Sequence, residues 1–360
     1  MADAKKTAII ERYTDIPLEE LKWLWPNRFP LGKFSMIVGV QGMGKSFLSL
    51  YMAAQISTGR PWCDCSEKRE PGSVILMTTE DDASDTIKPR LAAAGADMGK
   101  IVRITGFQKE KGELSDGLFN LTKDVDVLRD AVRQIPDVKL IVIDPISSYL
   151  YGLDENKNSE ARSFVTPLGM IAADYELSVV GISHLNKNEK LSPEHRILGS
   201  TGFAAAARAV WLVQEDKNDI DRKLMLLFKG NLAGKTTGLA YRLTSTQIVT
   251  DAGKSISGCY CSFEKDQIIM TARDVMESQP GGGKRSERKE SAKEWLWRYL
   301  RDGPRSSQDV FEDGQEAGHS KRTLERVKTE HDVQAIRVQR EDGTVEGWDW
   351  ALPTDEVGDE

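Results

Sequence analysis

The chain has 360 residues, 39% hydrophobic and 29% charged, and a formal net charge of −7, the profile of a globular chain of one to three domains. No apolar run approaches the ~18–20 residues of a membrane span, and the start, Met-Ala-Asp-Ala-Lys-Lys, lacks the apolar core of a secretory signal, so the expected location is cytoplasmic, with no membrane partner. The acidic balance excludes a uniformly basic nucleic-acid coat but not a ring that confines positive charge to a pore.

In chain order, a lead segment occupies residues 1–30. Residues 31–276 then alternate apolar runs with helical stretches. The runs 36–40, 74–79, 140–143, 179–183, 210–213 and 224–228 are mostly continuous rather than alternating. That is the pattern of strands covered on both faces, hence a mostly parallel sheet between helices in an α/β fold.

The first strand runs into Gly39-Val-Gln-Gly42-Met-Gly44-Lys45-Ser46, and a helix over 47–56 follows. This is the phosphate-binding loop G-x-x-x-x-G-K-[ST] in its required strand–loop–helix context. Gly39, Gly42 and Gly44 let backbone N–H groups turn onto phosphate, and the helix start at Ser46 and Phe47 adds positive potential. Lys45 is assigned to the β- and γ-phosphates of ATP and Ser46 to Mg²⁺.

Between them, Cys63 and Cys65 form the first of two C-x-C pairs, and Cys259 and Cys261 the second. The spacing is tighter than the usual structural-zinc knuckle, so reduced thiols are expected and a tetrathiolate zinc site is the alternative. The strand at 74–79 ends in Glu80-Asp81-Asp82. ATP hydrolysis needs a carboxylate to orient and deprotonate the attacking water, and Glu80 fits that role from a strand neighbouring the metal-binding one, a RecA-like placement. The alternative is plain acid at a helix start. The run 140–143 ends in Asp144, a second Mg²⁺ ligand of the Walker B form. The run 179–183 ends in His184, placed to sense the γ-phosphate, with a structural histidine as the alternative. No arginine of the same chain is evident near the phosphate loop.

Residues 277–287, rich in glycine and charge, read as a flexible linker. In the module 288–352, Ser291 and Glu294 form a capping box before an apolar helical stripe over 295–300. A second helix fits 307–316, and Ser320 caps a third over 321–330 with Leu324 and Val327 inward and Lys321, Arg322, Arg326 and Lys328 outward. Strands 335–340 and 344–350 flank the turn Asp342-Gly343. Three helices and a hairpin make a winged helix, whose third helix would enter a DNA major groove or dock a protein. An acidic tail, 353–360, follows.

Beyond the phosphate loop, Trp23-Leu-Trp-Pro26, Thr58-Gly-Arg-Pro-Trp62, Thr79-Glu-Asp-Asp82, Pro89-Arg-Leu91, Ser183-His-Leu-Asn-Lys187 and Ala204-Ala-Ala-Ala-Arg-Ala-Val-Trp211 together resemble the RepA-like ATPases of the RecA superfamily found in plasmids and phages. The resemblance covers roughly residues 15–275. It implies a RecA-like core, a homo-hexamer or other ring, single-stranded DNA in a central pore, and a separate primase or initiator. Arg208 looks like an arginine finger reaching a neighbour's site. Lys229 looks like the lysine of the K-x-R pair of ring helicases, with Asn231 in place of the second base. The stretches 149–162 and 187–200 would face DNA, with Lys157, Arg162, Lys187, Lys190 and Arg196 as candidate contacts. The expected function is an ATP-hydrolysing motor on DNA, a replicative helicase of a mobile element. The alternative is a non-translocating ATPase switch that binds DNA or a protein.

Overall fold

The computed structural model describes residues 8, 10–108, 114–115, 120–150, 158–185, 201–230, 232, 234, 236–272, 275, 292–301, 303–317, 319–339 and 345–353. The chain divides into two compact units, Met1–Gly283 and Lys284–Glu360.

The first unit is built on nine strands. They are β3 (Lys33–Gly39), β4 (Ser73–Thr78), β5 (Ile101–Arg103), β8 (Val138–Asp144), β9 (Ser178–His184), β10 (Ala209–Asp216), β11 (Asp219–Gly230), β12 (Gly238–Val249) and β13 (Ser255–Ile268). Two minor pairs stand outside this sheet: β1 (Trp23–Trp25) with β2 (Phe29–Pro30), and β6 (Phe107–Gln108) with β7 (Leu114–Ser115). The sheet order is β13-β12-β11-β10-β3-β9-β8-β4-β5. From β10 to β5 every pairing is parallel, while β10 to β13 form an antiparallel meander. The run 224–228, expected in the parallel set, therefore belongs to the antiparallel strand β11. The tight link between Asp216 and Asp219 permits only a hairpin, because a parallel connection needs a dozen or more residues.

Helices α1 (Lys45–Thr58), α2 (Lys88–Ala93), α3 (Val125–Gln134), α4 (Asn158–Asp174) and α5 (Thr201–Ala206) complete the unit. Alternate side chains of each central strand enter two separate cores. Met36, Val38, Ile141, Ile143 and Val210 pack with Leu128, Phe164 and Ile171 of α3 and α4. Ile37, Leu140, Val142, Val180 and Trp211 pack with Leu48, Met52 and Ile56 of α1. This double coverage is why the strands read as unbroken apolar runs. The lead is not separate along its whole length. Trp25 and Phe29 are wholly buried in the second core, where Trp25 stacks on Trp62 with ring centroids 4.4 Å apart. Arg28 locks the corner by donating to Asp64 and to the Thr237 carbonyl.

The second unit orders α6 (Ala292–Leu300), β14 (Arg305–Ser306), α7 (Ser307–Glu316), α8 (Lys321–Glu330), β15 (Gln334–Gln339) and β16 (Val345–Ala351). Its sheet runs β14-β16-β15, antiparallel throughout. Trp295, Leu296, Val310, Leu324, Val327 and Trp350 form an independent core. Ser306 and Ser320 cap α7 and α8 by accepting from Asp309 and Thr323 N–H groups, as their hydroxyls favour at helix starts. Ser291, Asp342 and Gly343 lie outside the described residues.

Candidate active site

Strand β3 ends at Gly39, and the loop that follows opens α1. A Cβ at Gly39 would stand 2.2 Å from the Val213 carbonyl oxygen, so only glycine lets the loop leave between β3 and β10. Gly42 and Gly44 both adopt positive φ, 83° and 84°, the region glycine enters without steric cost. Tyr241, buried on β12, donates toward the Met43 and Gly44 carbonyls and braces the loop from below.

Lys45 is only 4% exposed. Its ammonium donates to the Val40 carbonyl at 2.8 Å and lies 3.1 Å from His184 Nδ1. An ammonium has no acceptor, so Nδ1 accepts and the histidine proton sits on Nε2. That Nε2 faces a Glu80 carboxylate oxygen at 3.8 Å. Burial pulls the Lys45 ammonium down to about 8, against the opposing pull of Asp144 and Glu80. It is a desolvated cation held by neutral groups, which is the state that an arriving phosphate relieves.

Asp144 ends β8 directly beside β4, with Thr78 opposite it in register. Glu80 stands two residues past β4, so the strand order brings Glu80 and Asp144 to one edge. Burial lifts the Asp144 carboxyl to about 6, while the Ser46 hydroxyl, which donates to it, and Lys45 pull the other way. The Ser46 and Asp144 oxygens are the hard donors Mg²⁺ prefers, and their contact with each other puts them in position to share it. Bound there, Mg²⁺ would neutralise charge on the β- and γ-phosphates.

Lys45, Ser46, Glu80 and His184 line one cleft of about 140 Å³ with Gln41, Gly42, Gly44, Phe47 and Arg90. Arg90, on α2, corrects the expectation that the chain supplies no arginine near the loop. Its guanidinium pairs with Asp81 at 2.6 Å and lies over the Phe47 ring, 4.5 Å from the centroid. Asp82 turns the chain back toward the loop by accepting from the Ser84 and Asp85 N–H groups. The Asp82-x-Ser84 spacing was the available signal for that turn. A roomier cleft of about 690 Å³, lined partly by Arg28, Asp64 and Thr237, is remote from this chemistry, and its arginine is already paired.

Arg208 and Lys229 lie at the opposite ends of the central strands from the phosphate loop. Arg208 precedes β10, is exposed, and its N–H donates to the Phe34 carbonyl near the start of β3. Lys229 donates to the carbonyls of Ala204, Ala205 and Ala207 at 3.1, 2.7 and 3.0 Å. Its ammonium is thus committed to the turn that carries Arg208. Burial, with Arg208 and Arg162 nearby, lowers the affinity of Lys229 for its proton. Arg162 is exposed on α4. Lys157, Lys187, Lys190 and Arg196 lie outside the described residues.

In the second unit Lys321, Arg322 and Arg326 are exposed on α8. Lys328 differs from its expected outward position, since it folds over the Trp350 ring at 4.7 Å. The four cysteines are free, and no cluster of three or more potential metal-binding residues occurs among the described residues. Cys261 is buried, and burial pushes the Cys63 thiol up to about 12.

Fold and site together define a P-loop ATPase with a RecA-like core. A family model described as an AAA domain matches residues 4–190, just over half of the chain, and the chain belongs to that family. No helix among the described residues is long and apolar enough to cross a membrane.

Proposed function

We propose that this ATPase assembles into a ring, a homo-hexamer, and works on DNA as the replicative helicase of a mobile element. One observation carries the reading. Arg208 is exposed, and about five strand residues, roughly 16 Å at ~3.3 Å each, separate its level in the sheet from the phosphate loop. It cannot serve its own nucleotide, but it is presented outward for a neighbour's. Arg90, the arginine beside the loop, is already engaged with Asp81 and Phe47.

Within one subunit Glu80 takes the proton of the attacking water. Lys45 moves from Val40 and His184 to the phosphates. His184 is then freed to report the state of the γ-phosphate, since its contacts join Lys45 to Glu80. Arg208 of the adjacent copy meets charge that spreads over the γ-phosphoryl oxygens. Lys229 holds the turn under Arg208. The second unit is read as a winged helix, with Lys321, Arg322 and Arg326 of α8 toward duplex DNA or a protein, and a separate chain supplies priming.

ATP- and Mg²⁺-dependent unwinding of a forked duplex tests the motor, with strand separation expected. Nucleic-acid-stimulated turnover without unwinding would instead support a non-translocating switch. That second reading draws on the near balance of acids and bases in residues 284–353, which suits a protein partner as well as DNA.

A further inference from the structure

The segment before β1 leaves apolar side chains in water. Ile10, Tyr13 and Leu18 are 86%, 92% and 103% exposed, and Ile16 is 42% exposed. A short 3-10 turn, Tyr13–Asp15, has no buried residue. Isolated surface apolars are ordinary, but four within nine residues form a run that favours a covered state.

The same chain carries an apolar groove. Leu76, Ile87, Leu91, Met98, Ile101 and Val102 line a space of about 240 Å³ between α2 and β5. That is too small for a typical ligand site and suits one or two large side chains. It lies at the end of the sheet, because β5 has a strand partner on one side only among the described residues. Charge matches as well. Residues 10–20 hold Glu11, Asp15, Glu19 and Glu20 against Arg12 alone. Lys88 and Arg103 line the groove, and Lys88 already pairs with Asp251 at 2.7 Å, so the match rests on Arg103. Of the nearby acids, Asp82 accepts from the Ser84 and Asp85 N–H groups and also feels the Arg103 charge, and Asp85 accepts from the Thr86 hydroxyl.

We propose that residues 10–20 of one copy dock in the groove between α2 and β5 of a second copy, with Tyr13 as the anchor and the segment's acids against Arg103. This rests on the assembly reading above. The contact would couple assembly to catalysis, since α2 also carries Arg90 to the nucleotide cleft and Asp81 and Glu80 lie just before it.

The full chain tests it by sedimentation velocity over a concentration series with ATP analogue and Mg²⁺. Tyr13→Ser combined with Leu18→Ser should raise the concentration needed for assembly at least 10-fold. These side chains are exposed, so folding should not change. Arg103→Glu should weaken assembly too, and adding Glu19→Lys and Glu20→Lys should restore it. Mixing a Tyr13→Cys copy with a Met98→Cys copy should yield a disulfide-linked dimer under mild oxidation. Wild-type chains that stay monomeric throughout would overturn both the assembly reading and the docking. Wild-type assembly with unimpaired Ser and Glu variants would overturn the docking alone. So would a crosslink that forms within a doubly substituted copy but never between singly substituted ones, because the segment would then cover its own groove.

Discussion

At the scale of single residues, the nucleotide site trades stability for readiness. Lys45 ordinarily titrates near 10.5, and burial brings it to about 8 in the folded chain. Between those values the unfolded chain holds a proton the folded one has lost, so stability rises with pH across that window. Below about 8 the buried charge opposes folding in full, on the order of 3 kcal/mol at ~1.4 kcal/mol per tenfold change. Lys45→Met keeps the aliphatic stem and deletes the charge, while losing a hydrogen bond to Val40 worth about 1 kcal/mol. The variant should bind ATP at least ~100-fold more weakly, yet melt about 3–5 °C higher without nucleotide. Calorimetry at pH 7 and pH 9.5 checks this: the advantage should shrink at the higher pH, and a lower melting point at pH 7 would refute the account. Glu80→Gln separates binding from chemistry. Nucleotide affinity should stay within about 3-fold while turnover falls at least ~100-fold. Normal turnover would move the base elsewhere.

At the scale of elements, continuous apolar runs made β3, β4, β8, β9 and β10 legible, because both their faces are covered. Strands β12 and β13 were not legible. Beyond Tyr241, β12 alternates Thr, Ser and Gln on a half-covered surface, and β13 buries only Gly258 and Cys261, so neither has the buried-strand pattern. The position of a candidate group read well where a strand end carried it, as at Asp144, Glu80 and His184. Arg90 did not, because its place follows from the turn at Asp82 rather than from any motif around the arginine. Helix α7 was readable to its bounds, since Ser306 and the Ala317–Ser320 turn mark both ends. It also holds a tight crossing: a Cβ on Gly314 would stand 2.5 Å from Leu324 Cδ1 and 3.2 Å from the Trp295 ring. Both neighbours belong to the small core of that unit, so Gly314→Val should overpack it by about 1–3 kcal/mol. Tryptophan fluorescence should report early melting of the second unit, with ATP turnover of the first unchanged because its cores are separate. Turnover that falls in step with that melting would show the units to be energetically joined.

At the scale of the whole molecule, the question is whether one copy is a complete enzyme. Lys45, Ser46, Glu80 and His184 line a single cleft, and Arg90, the arginine among its described lining residues, is paired with Asp81. Arg208 stands at the opposite ends of the central strands, on a turn whose three carbonyls Lys229 ties down. Such tethering makes sense if the guanidinium must arrive in a fixed position somewhere outside its own chain. An arginine finger contributes roughly 10³–10⁵ in rate, so specific activity should rise with protein concentration through the assembly range. Arg208→Ala should bind ATP normally and hydrolyse it at least ~100-fold more slowly. Lys45→Ala is dead for the other half of the same reaction. In a mixed assembly some interfaces join an intact phosphate loop from one copy to an intact Arg208 from the next. For random pairing of equal amounts, about one interface in four has that composition, so the mixture should regain a clear fraction of wild-type turnover while each variant alone stays inactive. Subunit exchange is verified by energy transfer between labelled copies. A mixture that exchanges freely and remains inactive, or a dilute monomer that turns over at the full rate, would place the missing charge within one chain and remove Arg208 from the reaction.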